Sequence, residues 1–200
     1  GFADPSVEAA RGFRAALTAM ARPGRIETGA GATAPAPVSP AAAVLLLTLC
    51  DRETPLYLAQ GHDSAEIRDW IAFHIGAPLC APETAQFALG RWPALAPHTA
   101  FPAGTPEYPD RSATLIVEME RLEAAGARLT GPGIETSAKL SLPETAFFRA
   151  NRALFPLGRD VFLTCGNRLA AAPRHALEIN VSEYARQRGH HAGHGRDGGA

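Results

Sequence analysis

All but one of the nineteen lysine and arginine residues are arginines, the exception being Lys139. A guanidinium offers a planar fork of N–H donors that matches carboxylate or phosphate oxygens two at a time. Two groupings have the spacing of an anion site. Arg22-Pro23-Gly24-Arg25 sets two guanidiniums around a helix stop, and Arg149, Arg152, Arg159 and Arg168 bracket Pro156. Arg22, Arg25, Arg159 and Arg168 are therefore the candidates for anion contact, with Asp160 orienting an arginine. The plain alternative is a solvated charged face, since exposed arginines are ordinary. A third candidate is GTPEYPDR, Gly104 to Arg111. Its prolines fix the backbone, so Glu107, Tyr108 and Arg111 are presented to a partner with little entropy to lose. A rigid surface turn explains the same composition without function.

Other chemistry-bearing patterns are missing from the sequence. There is no GxxxxGKS/T phosphate loop, no HExxH and no GxSxG elbow. Gly29-Ala30-Gly31 is half of a dinucleotide fingerprint, but Pro35, Pro37 and Pro40 follow where a helix N-terminus is required. His62, His74, His98 and His175 show no ligand spacing. His74 falls on an apolar helix face and is expected to be a hydrogen-bonded core residue, because a base needs a positioned partner. Cys50, Cys80 and Cys165 are odd in number and far apart, which argues against a disulfide framework or structural zinc and for a reducing compartment. Cys165 beside Gly166 reads as a small buried hydrophobe, with a reactive thiol as the alternative. No catalytic residue and no metal site are assigned.

These residues must be positioned by regular elements. Val161 to Cys165, the pair Gly166-Asn167 and Leu169 to Ala172 form strand, tight turn and strand, a buried hairpin expected near the C-terminal end of a sheet. Asp4-Pro5 opens a first helix whose apolar face is Phe13, Leu17 and Met20. A buried second helix spans Ala41 to Leu49. Asp63 with Glu66 has the form of a capping box for a third, with Ile67, Trp70, Ile71 and His74 near one face. Pro55 to Ala59, Phe87 to Leu89, Ser112 to Glu120 and Ala127 to Thr130 are strand candidates, and Pro143 to Arg152 a fourth helix. Alternating strands and helices indicate an α/β or mixed α+β layer fold.

Two hundred residues are most simply one domain, here 1–183, large enough to bury a core without staples. Residues 184–200 are Gly, His and Arg with almost nothing apolar, the composition of a disordered tail. His190, His191 and His194 lie in it, with adventitious metal binding as the alternative to a solvated tail. A net charge of −1 gives no electrostatic case for nucleic acid or anionic membrane. No apolar run reaches the ~20 residues of a membrane span, and no segment has a signal-peptide pattern.

Five stretches in order, FRAALTAMARPG (Phe13 to Gly24), LLLTLCDRETPL (Leu45 to Leu56), FHIGAPL (Phe73 to Leu79), LTGPGI (Leu129 to Ile134) and PLGRDVFLTCGNRLAAAPR (Pro156 to Arg174), resemble the PhnH family. This is the H subunit of the bacterial carbon–phosphorus lyase system. The likeness runs from about Phe2 to Asn180 and stops before the tail. It implies a single-domain α/β sandwich with a mixed sheet, similar to the large domain of pyridoxal-phosphate-dependent transferases but without the cofactor. It implies a cytoplasmic protein that pairs with itself when isolated and works with the G, I and J subunits. That complex, with the I subunit as the expected catalyst, joins a phosphonate to the ribose of ATP and displaces adenine. A separate iron–sulfur subunit then breaks the carbon–phosphorus bond.

The residues themselves bear on the cofactor. A pyridoxal enzyme needs a Schiff-base lysine, and only Lys139 is available, in the polar stretch Glu135 to Ser141. A desolvated lysine near a phosphate site would suit better, so no pyridoxal phosphate is expected. The expected role is an accessory subunit of the ribosylating complex. The alternative is a stand-alone nucleotide- or phosphate-binding enzyme built on the arginines around Pro156.

Overall fold

The computed structural model describes residues 1–175 and the backbone of residues 178–180. The expected tail and its histidines lie outside the described residues. Helix α1 (Pro5–Ala21) starts where Asp4 accepts a hydrogen bond from the Val7 N–H and Pro5 supplies a helical φ. Strand β1 (Glu27–Thr28) follows. Helix α2 (Pro40–Leu49) is capped by Ser39, whose hydroxyl accepts from Ala42 at 3.2 Å. Then come β2 (Leu56–Leu58), α3 (Ala65–His74), β3 (Phe87–Arg91), β4 (Thr114–Glu118), β5 (Ala127–Thr130), β6 (Ala138–Leu140), α4 (Thr145–Ala153), β7 (Asp160–Cys165), β8 (Arg168–Ala172) and β9 (Glu178–Asn180).

A mixed six-stranded sheet has the order β1-β8-β7-β4-β3-β2. Strands β2, β3, β4 and β7 are mutually parallel, while β8 and β1 run antiparallel to their neighbours. The β7–β8 hairpin turns through Gly166 at φ +58°, a conformation glycine adopts without strain. It lies inside the sheet, between β4 and β1, and not at an edge. A second sheet, β6-β5-β9, is antiparallel.

Alternation along the strands divides the core. Ile116, Phe162, Leu169 and Ala171 face one way and pack with α1, α2 and α3. Leu115, Val117, Val161, Leu163 and Ala170 face the other way and pack with Leu95, Phe101, Leu129, Leu140 and Phe148. The main sheet is thus covered on both faces, as parallel strands require. Among the described residues no helix is long and apolar enough to cross a membrane.

Three local expectations are corrected. The buried face of α1 is Gly12, Ala15, Ala16 and Ala19, whereas Phe13 and Leu17 are 53% and 57% exposed. Small residues win because α2 lies close: a Cβ on Gly12 would sit 2.6 Å from the Val44 side chain. The cap of α3 is Ser64, which accepts from Ile67, while Asp63 is engaged by Arg68. His74 is exposed and lies against Trp70 and Phe73; Ile67, Trp70 and Ile71 alone form the buried face.

Candidate functional site

The two ends of β4 and β7 carry most of the partly or fully buried polar chemistry. At the amino end, Arg159 is 6% exposed and its guanidinium points inward. Its Nε donates to the Phe101 carbonyl at 2.8 Å, and Nη2 donates to Thr99 at 3.1 Å and to Phe101. Asn151 from α4 clasps the Arg159 backbone, accepting its N–H and donating to its carbonyl, each at 2.8 Å. Burial holds the Arg159 pKa below its ordinary value, but a guanidinium retains its charge under all ordinary conditions.

Asp160 does orient an arginine, and that arginine is Arg174. The carboxylate accepts from the Arg174 backbone N–H at 3.0 Å, Nε at 3.2 Å and Nη2 at 2.6 Å. Arg174 Nη1 then donates to the Pro109 carbonyl at 2.7 Å. This ties the Gly104–Arg111 loop to the start of β7. Within that loop the Arg111 guanidinium lies 4.0 Å above the exposed Tyr108 ring. Glu107 is exposed beside them.

The remaining arginines do not converge. Arg22 is exposed at the end of α1, and Arg25 is paired with Glu27. Arg168 is exposed at the start of β8, at the opposite end of the sheet from Arg159. Arg152 donates to the His175 carbonyl.

The carboxyl end of the parallel strands is different, and this is where open α/β sheets place ligands. His62, just after β2, is 1% exposed, and among the described residues neither ring nitrogen has a hydrogen-bond partner. Burial, and then the nearby Arg91 cation, push its pKa below the ordinary value. Glu118 ends β4, accepting from the Ser39 N–H at 2.7 Å and the Thr164 hydroxyl at 3.0 Å. Burial raises its pKa, against the pull of Ser39, Thr164 and Arg91. Arg91 ends β3 and reaches exposed Glu120 at 3.5 Å. The Arg91 cation thus acts on both groups, lowering the pKa of His62 and partly offsetting the rise at Glu118.

Thiol and metal chemistry find little support nearby. Burial and then Asp51 push Cys50 up to about 12, and burial raises Cys80, so neither supplies a thiolate near neutrality. Among the described residues no three His, Cys, Asp or Glu side chains are grouped to hold a metal. Lys139 is exposed on β6 at the margin of the smaller sheet, which does not fit a Schiff-base lysine.

Fold and site together define a mixed-sheet α/β protein whose polar groups are closed at one end of the sheet and open at the other. The chain belongs to the PhnH family of bacterial phosphonate metabolism proteins, whose family model matches residues 1–177. A Rhizobium meliloti (strain 1021) relative is 40% identical over 182 residues, covering 86% of this chain and 91% of that protein. It is named alpha-D-ribose 1-methylphosphonate 5-triphosphate synthase subunit PhnH. The putative C-P lyase subunit protein HtxG of Stutzerimonas stutzeri is 28% identical over 180 residues, 84% of each chain.

Sequence reasoning set His62 aside for want of ligand spacing and missed Arg91, Glu118 and Arg174. The signal for all four is position, because each lies at or just beyond the carboxyl end of a short apolar run.

Proposed function

We propose that this chain is an accessory subunit of the enzyme system that transfers the ribose triphosphate of ATP to an organic phosphonate, displacing adenine. The observation that carries this reading is the 40% identity across most of both chains to a subunit named for that synthase. Its working partners are the G, I and J subunits, its compartment is the cytoplasm, and it pairs with itself when isolated. Residues 1–183 form one domain, with the layer arrangement of the large domain of pyridoxal-phosphate-dependent transferases and no such cofactor. The inward-facing Arg159 supports a structural part for the loop around Pro156, because that guanidinium is occupied by main-chain carbonyls.

The test is co-expression with the G, I and J subunits followed by native mass spectrometry. A stoichiometric assembly is expected; a chain that never leaves its own homo-oligomer refutes the reading. A second reading, a stand-alone nucleotide- or phosphate-binding enzyme, draws on buried, unpartnered His62 beside Arg91. Calorimetry of the isolated chain with ATP separates the two, since an accessory body gives no heat.

A further inference from the structure

The turn that follows β2 carries a polar ring into the interior. His62 is 1% exposed, and among the described residues neither Nδ1 nor Nε2 has a hydrogen-bond partner. A neutral ring leaves its hydrogen bonds unmade there, which is a modest loss. A charged imidazolium without partners is far harder to bury.

The turn is built so that it can let the ring go. Ala59 is fixed to the sheet, its N–H donating to the Leu89 carbonyl at 2.9 Å. The His62 N–H donates to the Ala59 carbonyl at 2.9 Å and closes the turn over Gln60 and Gly61, both exposed. Gly61 stands at φ +89° with nothing within 4 Å of where a Cβ would lie, so a hinge there meets no obstacle. On the far side Ser64 caps α3, accepting from the Ile67 N–H at 3.3 Å, and so anchors the helix start independently. Residues 60–63 are held down by the turn hydrogen bond, the Asp63–Arg68 ion pair and the buried ring.

Of these three, only the ring changes charge near neutrality. The Arg68 guanidinium holds the Asp63 carboxyl below its ordinary range, so that pair persists as the pH falls. Arg91, at the end of β3, is the charged group that acts on the ring, and it opposes a second cation beside it. The β4 carboxylates engage Arg91 instead: it pulls on Glu118 and is paired with Glu120.

We infer that residues 60–63 form an acid-released latch over the carboxyl end of β2 and β3: charging His62 ejects its ring, and the segment swings out about Gly61 while the sheet and α3 stay folded. The inference stands apart from the subunit reading, because it concerns the isolated chain. One pH unit below its ordinary 6.5, an imidazole in water is about ten times as often charged as neutral, whereas the buried ring resists charging, so opening gains up to about tenfold.

The experiment is amide exchange of the full chain at pH 7.5 and 5.5, corrected for the intrinsic pH dependence of exchange. The amide at position 62 reports the latch, and that of Ile116 in β4 reports global unfolding. Position 62 is expected to exchange faster than Ile116 and without sensitivity to dilute urea, the signature of a local opening. Its protection is expected to fall by about tenfold between the two pH values. His62→Phe, whose ring cannot charge, is expected to show no such fall. Arg91→Gln, which removes the opposing cation, is expected to show a smaller one. Thermal melts establish that each variant is folded; should His62→Phe not fold, the parent and Arg91→Gln still decide. Protection at position 62 that is the same at both pH values overturns the latch. So does exchange there at the rate and urea dependence of Ile116, a fall that persists in folded His62→Phe, or one in Arg91→Gln that is no smaller than the parent's.

Discussion

Two clusters at opposite ends of β4 and β7, roughly 13 Å apart by strand rise, treat buried polarity in opposite ways. At the amino end the charged and amide groups have partners, and among the described residues only the buried Ser112 hydroxyl is left without one. Arg159 is held by the Phe101 and Thr99 carbonyls, Asp160 by Arg174, and Asn151 by the Arg159 backbone. At the carboxyl end His62 has none among the described residues, and Glu118 keeps a raised pKa in spite of two hydrogen bonds. A closed network rigidifies the layers it joins. An open one leaves capacity to bind something else. The two ends of the same strands thus differ in how fully their buried polar groups are paired.

The contrast predicts unequal costs. Arg159→Met keeps an apolar stem but strands the Phe101 and Thr99 carbonyls, and the loss is expected to be about 3 kcal/mol. For a chain of this size that lowers Tm by roughly 10 °C. Differential scanning calorimetry measures it. A change below 2 °C would break the comparison, because the amino end would then be no more committed than the carboxyl end.

Asp160→Asn is expected to cost less, about 2 kcal/mol, because Asn retains one acceptor for the Arg174 amide while the guanidinium loses its charge partner. The pair is about 15% exposed on each side, so solvent screens it only slightly. Since Arg174 also holds Pro109, the Gly104–Arg111 loop should loosen. Faster amide exchange at Tyr108 and Arg111, relative to β4, is the expected signature. Unchanged exchange there would show that the loop is held by its own turns.

The hairpin, α2 and β4 were legible because local chemistry decides them: apolar runs, a Gly-Asn turn, and a capping serine with a proline. The face of α1 was not, since side-chain size points to Phe13 and Leu17 while the closeness of Val44 admits only Gly12 and alanines. The arginine sites failed to converge for a related reason. Arg159 finds carbonyls 58 and 60 residues away in sequence, and Asp160 finds Arg174, which lies beyond the hairpin turn. Nothing at Arg159 marks it as inward-facing. The open end depends on parallel pairing of β2, β3 and β4, which gathers residues 62, 91 and 118. No local pattern reveals that pairing.

The smallest effects belong to the open end, and there pH separates the two groups. His62 has a depressed pKa in the fold, so the unfolded chain binds more protons below its ordinary value of 6.5, and stability falls as the pH drops through that point. His62→Phe removes this loss, along with two unpartnered nitrogens. Near pH 8 it should change stability by less than about 1 kcal/mol, and its advantage over the parent should grow as pH falls from 6.5 toward 5. Glu118 has the opposite sign. Its raised pKa makes the folded state the better proton binder, so stability declines as pH rises from the ordinary 4.5. Glu118→Gln, which keeps an acceptor for the Ser39 amide, should gain on the parent over that interval. Melting both variants across pH 4 to 8 tests the pair, with the two difference curves sloping in opposite directions. A His62→Phe loss at pH 8 as large as that of Arg159→Met would mean the imidazole already has a firm partner there, and the open end would be as closed as the other.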